Sequence, residues 1–567
     1  MTHARRRIRS GMQKSFLAVI VALVVVSAFA GYFMYFRPGG GGGETTTTQS
    51  NSPISTSTNA PGTPATTTTT TQGSSGREKK VLRVGIGIDA DTLFPISGTT
   101  TTVYNIMRLM YEPLFRVDEN GKIRPLLAES YNVSKDGLVY TVKLRKGIRF
   151  QDGTPFNATA VKFTFDKIMD PKMVCPSRAD FAALKEVRVV DEYTVQFVLK
   201  YPYAPFLTVL AGGTASIISP TSFKKLGDKV FTTPYGLGTG PYEFEKWVRG
   251  QKIVLKKNPD YWGKKAYFDE VVFYVVPDPQ TREAKRLSGE LDMILQPPSA
   301  DIQRLEKTKH VVVQKVLSTR VMFIGINTQW GPLKDKRVRQ ALNYAVDKNA
   351  LIKDVLFGLA GPMDSVLPNF ALGHVKLPPY SYNPEKAKEL LKEAGYPNGF
   401  KVTIYTPVGR YLFDKEVAQA IGQYLRNIGL QVEVRPVADW PTYVHMLLAP
   451  KNQTKLELFL VGWAPSVPDP HNYLYQRFHS SQMPPHGFNF VFYNNSEVDK
   501  LLDEGVRETD PAVRAKIYEN VSRILWDDAP NIYLYLQYFV VVHSDRLQGV
   551  KLLPYEMFDI SDASFKS

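Results

Sequence analysis

At 567 residues, 43% apolar and 22% charged, the chain is long enough for several domains with ordinary globular cores. Its single cysteine, Cys175, excludes an intramolecular disulfide framework and any zinc site built on cysteines. The net charge of +16 arises from Lys and Arg scattered among Asp and Glu. No basic stripe with interleaved aromatics stands out, so nucleic acid is not an expected partner, whereas an anionic membrane or wall would attract such a surface.

The opening "MTHARRRIRSGMQK" carries Arg5, Arg6, Arg7, Arg9 and Lys14, and the apolar run at 16–36 holds no charge before Arg37. That length suits a bilayer span, and the leading positive charge predicts a cytoplasmic N-terminus (1–15) followed by a transmembrane anchor. Ala28-Phe29-Ala30 supplies the rival reading, a cleaved signal peptide. The apolar residues that continue to Phe36 favour the anchor, and both readings export the body of the protein. No cysteine lies near the segment to carry a lipid tether. Residues 37–80, rich in Thr, Ser, Gly and Pro, have nothing to bury and read as a disordered stalk of roughly 35 Å end-to-end reach.

From Val81 the chain becomes periodic. "VLRVGI" predicts a strand, and "YNVSKDGLVYTVKLRKG" a hairpin that turns at Asp136-Gly137. "QKIVLKKNPDYW" and "FDEVVFYVVPD" follow as strands. Helices dominate later: "NPEKAKELLKEAGY" has Asn383 as cap, Pro384 at its first position and Gly395 as stop. "DKEVAQAIGQYLRNIG" sets Val417, Ile421, Leu425 and Ile428 on one face and ends at Gly429. "LQVEVRPV" reads as a strand, "DPAVRAKIYENVSRILWDDAP" as a capped helix and "NIYLYLQYFVVVHS" as a last β run. Alternation without internal repeat predicts α/β or α+β lobes. The proline-rich stretch "GWAPSVPDPHNY" (462–473) reads as neither helix nor regular strand.

Catalytic motifs are missing: there is no G-x-S-x-G, no H-E-x-x-H and no P-loop. Gly85-x-Gly87-x-x-Ala90 follows a strand as a dinucleotide fingerprint does, but Pro95 and a threonine run follow where a helix would have to start. His471, His479 and His486 are not spaced as ligand pairs. Neither cofactor nor metal is expected, and an exported head without catalytic machinery reads as a binding protein.

Five ordered stretches resemble the extracellular solute-binding proteins of family 5, the oligopeptide/dipeptide class of ABC importers. They are "LAESYNVSKDGLVYTVKLRKGIRFQDGTPFNATAVKFTFDKI", "GTGPYEFEKWVRGQKIVLKKNPDYWG", "INTQWGPLKDKRVRQALNYAVDKNALI", "YNPEKAKELLKEAGYPNGF" and the GW…DP loop. The anchor and stalk are similar to those of archaeal members. The resemblance implies an α/β, two-lobed periplasmic-binding-protein-like fold with an extra inserted domain. On that pattern the first lobe takes 81–125, 232–325 and 532–567, the inserted domain 126–231, and the second lobe 326–531. It implies a monomeric head that closes on its ligand and docks on a permease, with ATP hydrolysed on separate cytoplasmic subunits.

The same resemblance nominates ligand-binding residues. Arg410 in "TPVGRYLFD" matches a position that holds a peptide carboxylate in some members; the alternative is a solvated loop arginine. Trp463 is either an aromatic platform or packing beneath its loop. Asp469 is a candidate acceptor, although Asp before Pro470 more simply starts a turn. Thr99, Thr100 and Thr101 lie in a stretch (97–105) that matches a loop on the first-lobe side of the cleft. Ser466 stands where amine-binding members carry Asp, which weakens a peptide assignment and keeps oligosaccharides as the second ligand class. An exported hydrolase and a surface structural protein are the remaining readings.

Overall fold

The computed structural model describes residues 79–98, 100–119, 121–465, 469–485 and 487–566. The anchor expected at 16–36 and nearly all of the stalk lie outside them, as do Thr99 and Ser466. Among the described residues no helix is long and apolar enough to cross a membrane.

Two groups of strands meet in one mixed, 11-stranded sheet. In the first group Val81–Ile86, buried along most of its length, runs parallel to Glu270–Val275 and Met293–Leu295. Lys252–Lys257 and Tyr242–Val248 extend it as an antiparallel ribbon. In the second group Lys401–Pro407 runs parallel to both Gln431–Val437 and Leu458–Trp463. Its connection to Gln431–Val437 passes through the helix Asp414–Asn427, which buries Val417, Ile421 and Leu425, the crossover that parallel strands need.

Two long antiparallel strands, Val311–Ile326 and Asn531–Ser544, join the groups. Their register slips between Leu317 and Val321 and again between Met322 and Phe323. Before the slip, 311–317 pairs with 538–544, which continues to Met293–Leu295. After it, 321–325 pairs with 531–536 and with Leu458–Trp463. The unpaired Ser318, Thr319 and Arg320 therefore lie where the sheet passes from one group to the other.

A separate four-stranded antiparallel sheet is ordered Ala128–Val133, Val139–Leu144, Thr194–Leu199, Leu184–Asp191. The expected hairpin is its first pair, with Gly137 supplying the left-handed turn residue (φ 69°). The helix Ala158–Met169 packs Phe165 edge-on against Phe197, ring centroids 4.9 Å apart. Asn157 caps that helix by accepting from the N–H groups of Thr159 (3.1 Å) and Ala160 (3.2 Å). Asn157→Ala should cost about 1 kcal/mol, and Asn157→Gly only a few tenths. Hydrogen exchange confined to 158–169 checks this.

Two expectations about local structure need correction. The 97–105 stretch is not a loop throughout: Ser97 ends the short 3-10 turn Pro95–Ser97, and Thr101–Met107 is helical. Tertiary contacts override weak propensity here. Thr100 accepts from Val103 N–H (3.3 Å), and Asn105 donates to the Glu556 carbonyl (3.0 Å) and accepts from Phe558 N–H (2.9 Å). The 462–473 stretch is also more regular than its prolines suggest. Gly462 and Trp463 end the strand Leu458–Trp463, and Pro470 opens the helix Pro470–Phe478.

Candidate functional site

Arg410 sits in the turn between the strand Lys401–Pro407 and the helix Asp414–Asn427. Asp414 fixes that turn: its carboxylate accepts from the N–H groups of Gly409 (3.0 Å), Arg410 (2.8 Å) and Tyr411 (3.0 Å). The Arg410 guanidinium carbon lies 5.1 Å from the ring centres of both Tyr411 and Trp440. These cation–π contacts orient it without neutralising it. Among the described residues it has no carboxylate partner. The side chain is exposed, yet surrounding protein desolvates it and lowers its pKa, and the charge of Arg320 lowers it further.

Beneath Arg410 lies a buried ion pair at the slip in the sheet. Arg320 Nε donates to Glu556 Oε1 (2.8 Å), and Ser318 Oγ is 3.4 Å from the same oxygen. Glu556 also belongs to the segment that holds Asn105, so the Thr100–Thr101 helix start is tied to this pair. On the other side Arg320 packs over Tyr411, and a Cβ at Gly462 would collide with Met322 and press on Tyr411 and Arg320. The glycine of the GW pair is thus a packing requirement. Through this pair the fold draws together segments around 100, 320, 410, 462 and 556. Spacing arguments could not find Arg320 or Glu556. The one signal is the polar triplet Ser318-Thr319-Arg320 interrupting an apolar run.

The other candidates divide by how their polar groups are used. Trp463 is half-buried; its Nε1–H donates to the Asn472 carbonyl (2.9 Å) and its ring lies 5.2 Å from Phe488. Asp469 is held inside the protein. Arg514 grips it with two bonds, Nη1 to Oδ2 (2.8 Å) and Nη2 to Oδ1 (2.7 Å), while Asp469 caps the next helix by accepting from His471 N–H (2.9 Å). A carboxylate so placed has little left to offer a ligand, which moves Asp469 from binding residue to cap and buried ion-pair partner. Thr100 spends an acceptor position on its helix cap, and Thr101 opens that helix. Thr99 and Ser466 lie outside the described residues. Among the described residues no cluster of His, Cys, Asp and Glu could hold a metal ion.

Comparison with known proteins bears on these observations. The family described as "Bacterial extracellular solute-binding proteins, family 5 Middle" matches residues 122–485. The glutathione-binding protein GsiB of Shigella flexneri is 33% identical over 484 residues, covering 85% of this chain and 94% of that protein. Among solved structures, the periplasmic binding protein DppA from Helicobacter pylori, in complex with the peptide STSA, is 31% identical with a TM-score of 0.72. That match covers 85% of this chain and 98% of DppA. The oligopeptide-binding protein AppA from Bacillus subtilis, in complex with a nonapeptide, is 26% identical with a TM-score of 0.72, covering 87% of this chain and all of AppA. These relatives are bacterial and lend no support to an archaeal affinity. They share the mixed α/β, two-lobed periplasmic-binding-protein fold, and the chain belongs to the family 5 extracellular solute-binding proteins.

Proposed function

We propose that this protein is the exported receptor of an ABC importer for short peptides, and that Arg410 holds the ligand's terminal carboxylate. The observation that carries this reading is the Arg410 guanidinium: oriented by two rings, open to water, and without a carboxylate of its own. With Arg320 neutralised by Glu556, the site keeps one net positive charge for an anionic group. The relatives support the ligand class, since the tetrapeptide, the nonapeptide and glutathione all end in carboxylates.

Closure of two lobes on the peptide creates the surface that a permease recognises. The inserted 126–231 segment draws support from the separate four-stranded sheet. The buried clusters, by contrast, divide at the slip, with 321–324 and 532–536 packed among second-lobe residues, which favours a changeover near 318–320 and 537 over one at 325 and 531. Trp463 offers its half-exposed ring to a side chain, and Thr100 and Thr101 supply hydroxyls from the first lobe, with Thr99 nominated beside them by sequence alone. Ser466 replaces a charged amine acceptor with a neutral one. Residues 16–36 tether the head to the membrane, on the strength of their apolar length alone.

Ligand binding to the native state raises the melting temperature, so a thermal screen tests the reading. Free peptides should stabilise the protein, and their C-terminal amides far less. Arg410→Gln should weaken free-carboxylate peptides about 100-fold, roughly 2–3 kcal/mol, when read by calorimetry. A response to cello- or malto-oligosaccharides with none to peptides would overturn the assignment.

A further inference from the structure

If Arg410 takes the carboxylate, a peptide's amine needs a counter-charge elsewhere. The one described carboxylate of the GW loop, Asp469, is consumed by Arg514. A second carboxylate stands unused. Asp180, in the short helical turn Arg178–Phe181, lines a cavity of about 420 Å³, a volume in the range of small-ligand pockets. Among the described residues its side chain receives no hydrogen bond and no ion pair. The nearest basic residue in sequence cannot help: Arg178 donates Nε to the Ile168 carbonyl (2.9 Å) and Nη2 to the carbonyls of Asp170 (2.7 Å) and Met173. Of the three arginines that line the cavity, Arg108 donates to the Phe558 carbonyl (2.9 Å) and Arg145 to that of Leu126 (2.7 Å), and neither these two nor Arg116 bonds to Asp180.

The surroundings of Asp180 suit an ammonium group. Tyr104, from the Thr101–Met107 helix, has its hydroxyl 2.8 Å from Thr214 Oγ1 and donates to the Gly98 carbonyl (2.9 Å) beside the same cavity. Gly213 is required there, because a Cβ would run into the Tyr104 ring. Asp180 also adds its charge to the field at Tyr203, whose ring meets His471 edge-on at 5.8 Å. His471 is on the helix that follows the GW loop, so Tyr203 brings the 126–231 segment against that helix. Desolvation alone raises its pKa to about 6, with no neighbouring charge offsetting the cost. An unpaired carboxylate, desolvated and backed by aromatic rings, is completed by a cation.

We propose that this cavity receives the amine end of the ligand, with Asp180 as the counter-charge that selects for it. The proposal rests on the peptide reading above and assigns the opposite end of the same ligand. The test compares the tetrapeptide Ser-Thr-Ser-Ala with its N-acetyl form, on wild type and on the near-isosteric Asp180→Asn. Wild type should prefer the free amine by at least about 10-fold, and Asp180→Asn should lose about 10- to 100-fold for the free peptide with the acetylated one unchanged. Equal loss of both peptides, or no loss of either, overturns the proposal. If neither peptide binds wild type, the peptide reading is what fails, and phenethylamine alone then decides the cavity by saturation-transfer NMR. Binding to wild type that Asp180→Asn weakens at least about 10-fold supports the site; equal binding to both, or to neither, overturns it.

Discussion

Arg514→Met should destabilise the protein by about 3–5 kcal/mol at neutral pH, the cost of leaving a buried charge without its partner. The side chains of Arg514 and Asp469 are only 6% and 7% exposed, so water cannot screen the loss. Arg514 also donates Nε to the Gly505 carbonyl (2.7 Å) and Nη2 to the Tyr518 hydroxyl (3.2 Å), so three helices meet on one guanidinium. Burial by itself would raise the Asp469 pKa; the Arg514 charge and its two bonds outweigh burial and hold it below the usual value. A depressed carboxylate contributes stability that is fully present above the unfolded pKa of about 3.9 and is lost as pH falls through the folded value. In Arg514→Met the depression vanishes and Asp469 protonates at higher pH. The variant's deficit, read from urea midpoints, should therefore shrink from pH 7 toward pH 4. Asp469→Asn/Arg514→Met should be more stable than Arg514→Met alone, because the stranded charge is gone. Ligand affinity separates the two roles of Asp469: as a cap and ion-pair partner, Asp469→Asn should lower stability while leaving the peptide Kd of the folded protein within about threefold.

What the sequence makes legible is what local chemistry decides. The hairpin at 128–144 turns at Asp136-Gly137, and Asn383, Gly395 and Gly429 bound their helices, because caps and turns act within a few residues. Elements held by distant contacts are not legible in this way. Thr101–Met107 is a helix of β-branched and aromatic residues that owes its place to Asn105 reaching Glu556 and Phe558. Val311–Ile326 shows no two-residue alternation, since its second half is buried on both faces. The prolines at 465, 468 and 470 suggest a loop, yet Gly462-Trp463 is the end of a strand whose glycine is set by Met322, Tyr411 and Arg320. The site divides in the same way. Arg410 stands in a recognisable motif, while Arg320 and Glu556, separated by 236 positions, are joined only by the slip in the sheet.

Glu556→Gln should cost a comparable 3–5 kcal/mol, and here the loss should couple to the binding site. Glu556 lies in left-handed backbone (φ 60°), and Gln bears the same backbone cost, so the substitution isolates the charge. Burial alone would raise the Glu556 pKa, but the charge and hydrogen bonds of Arg320 lower it, helped by Arg410. The stability it contributes is therefore present above the unfolded value of about 4.3 and lost as pH falls through the folded one. Without Glu556 two cations face one another: Arg320, 8% exposed, and Arg410 above it. Arg410→Gln in that background should recover part of the lost stability, whereas Arg410→Gln alone should leave stability almost unchanged. A double-mutant cycle on unfolding free energy should give a coupling of about 1 kcal/mol or more between Glu556 and Arg410. Zero coupling would mean that Arg410 does not sense the pair beneath it. An Arg320→Met/Glu556→Leu pair should come close to wild-type stability, because apolar packing often replaces a buried ion pair without loss. It would leave Arg410 as the sole charge at the slip, so peptide affinity in that variant measures what the guanidinium contributes when no neutralised partner lies beneath it.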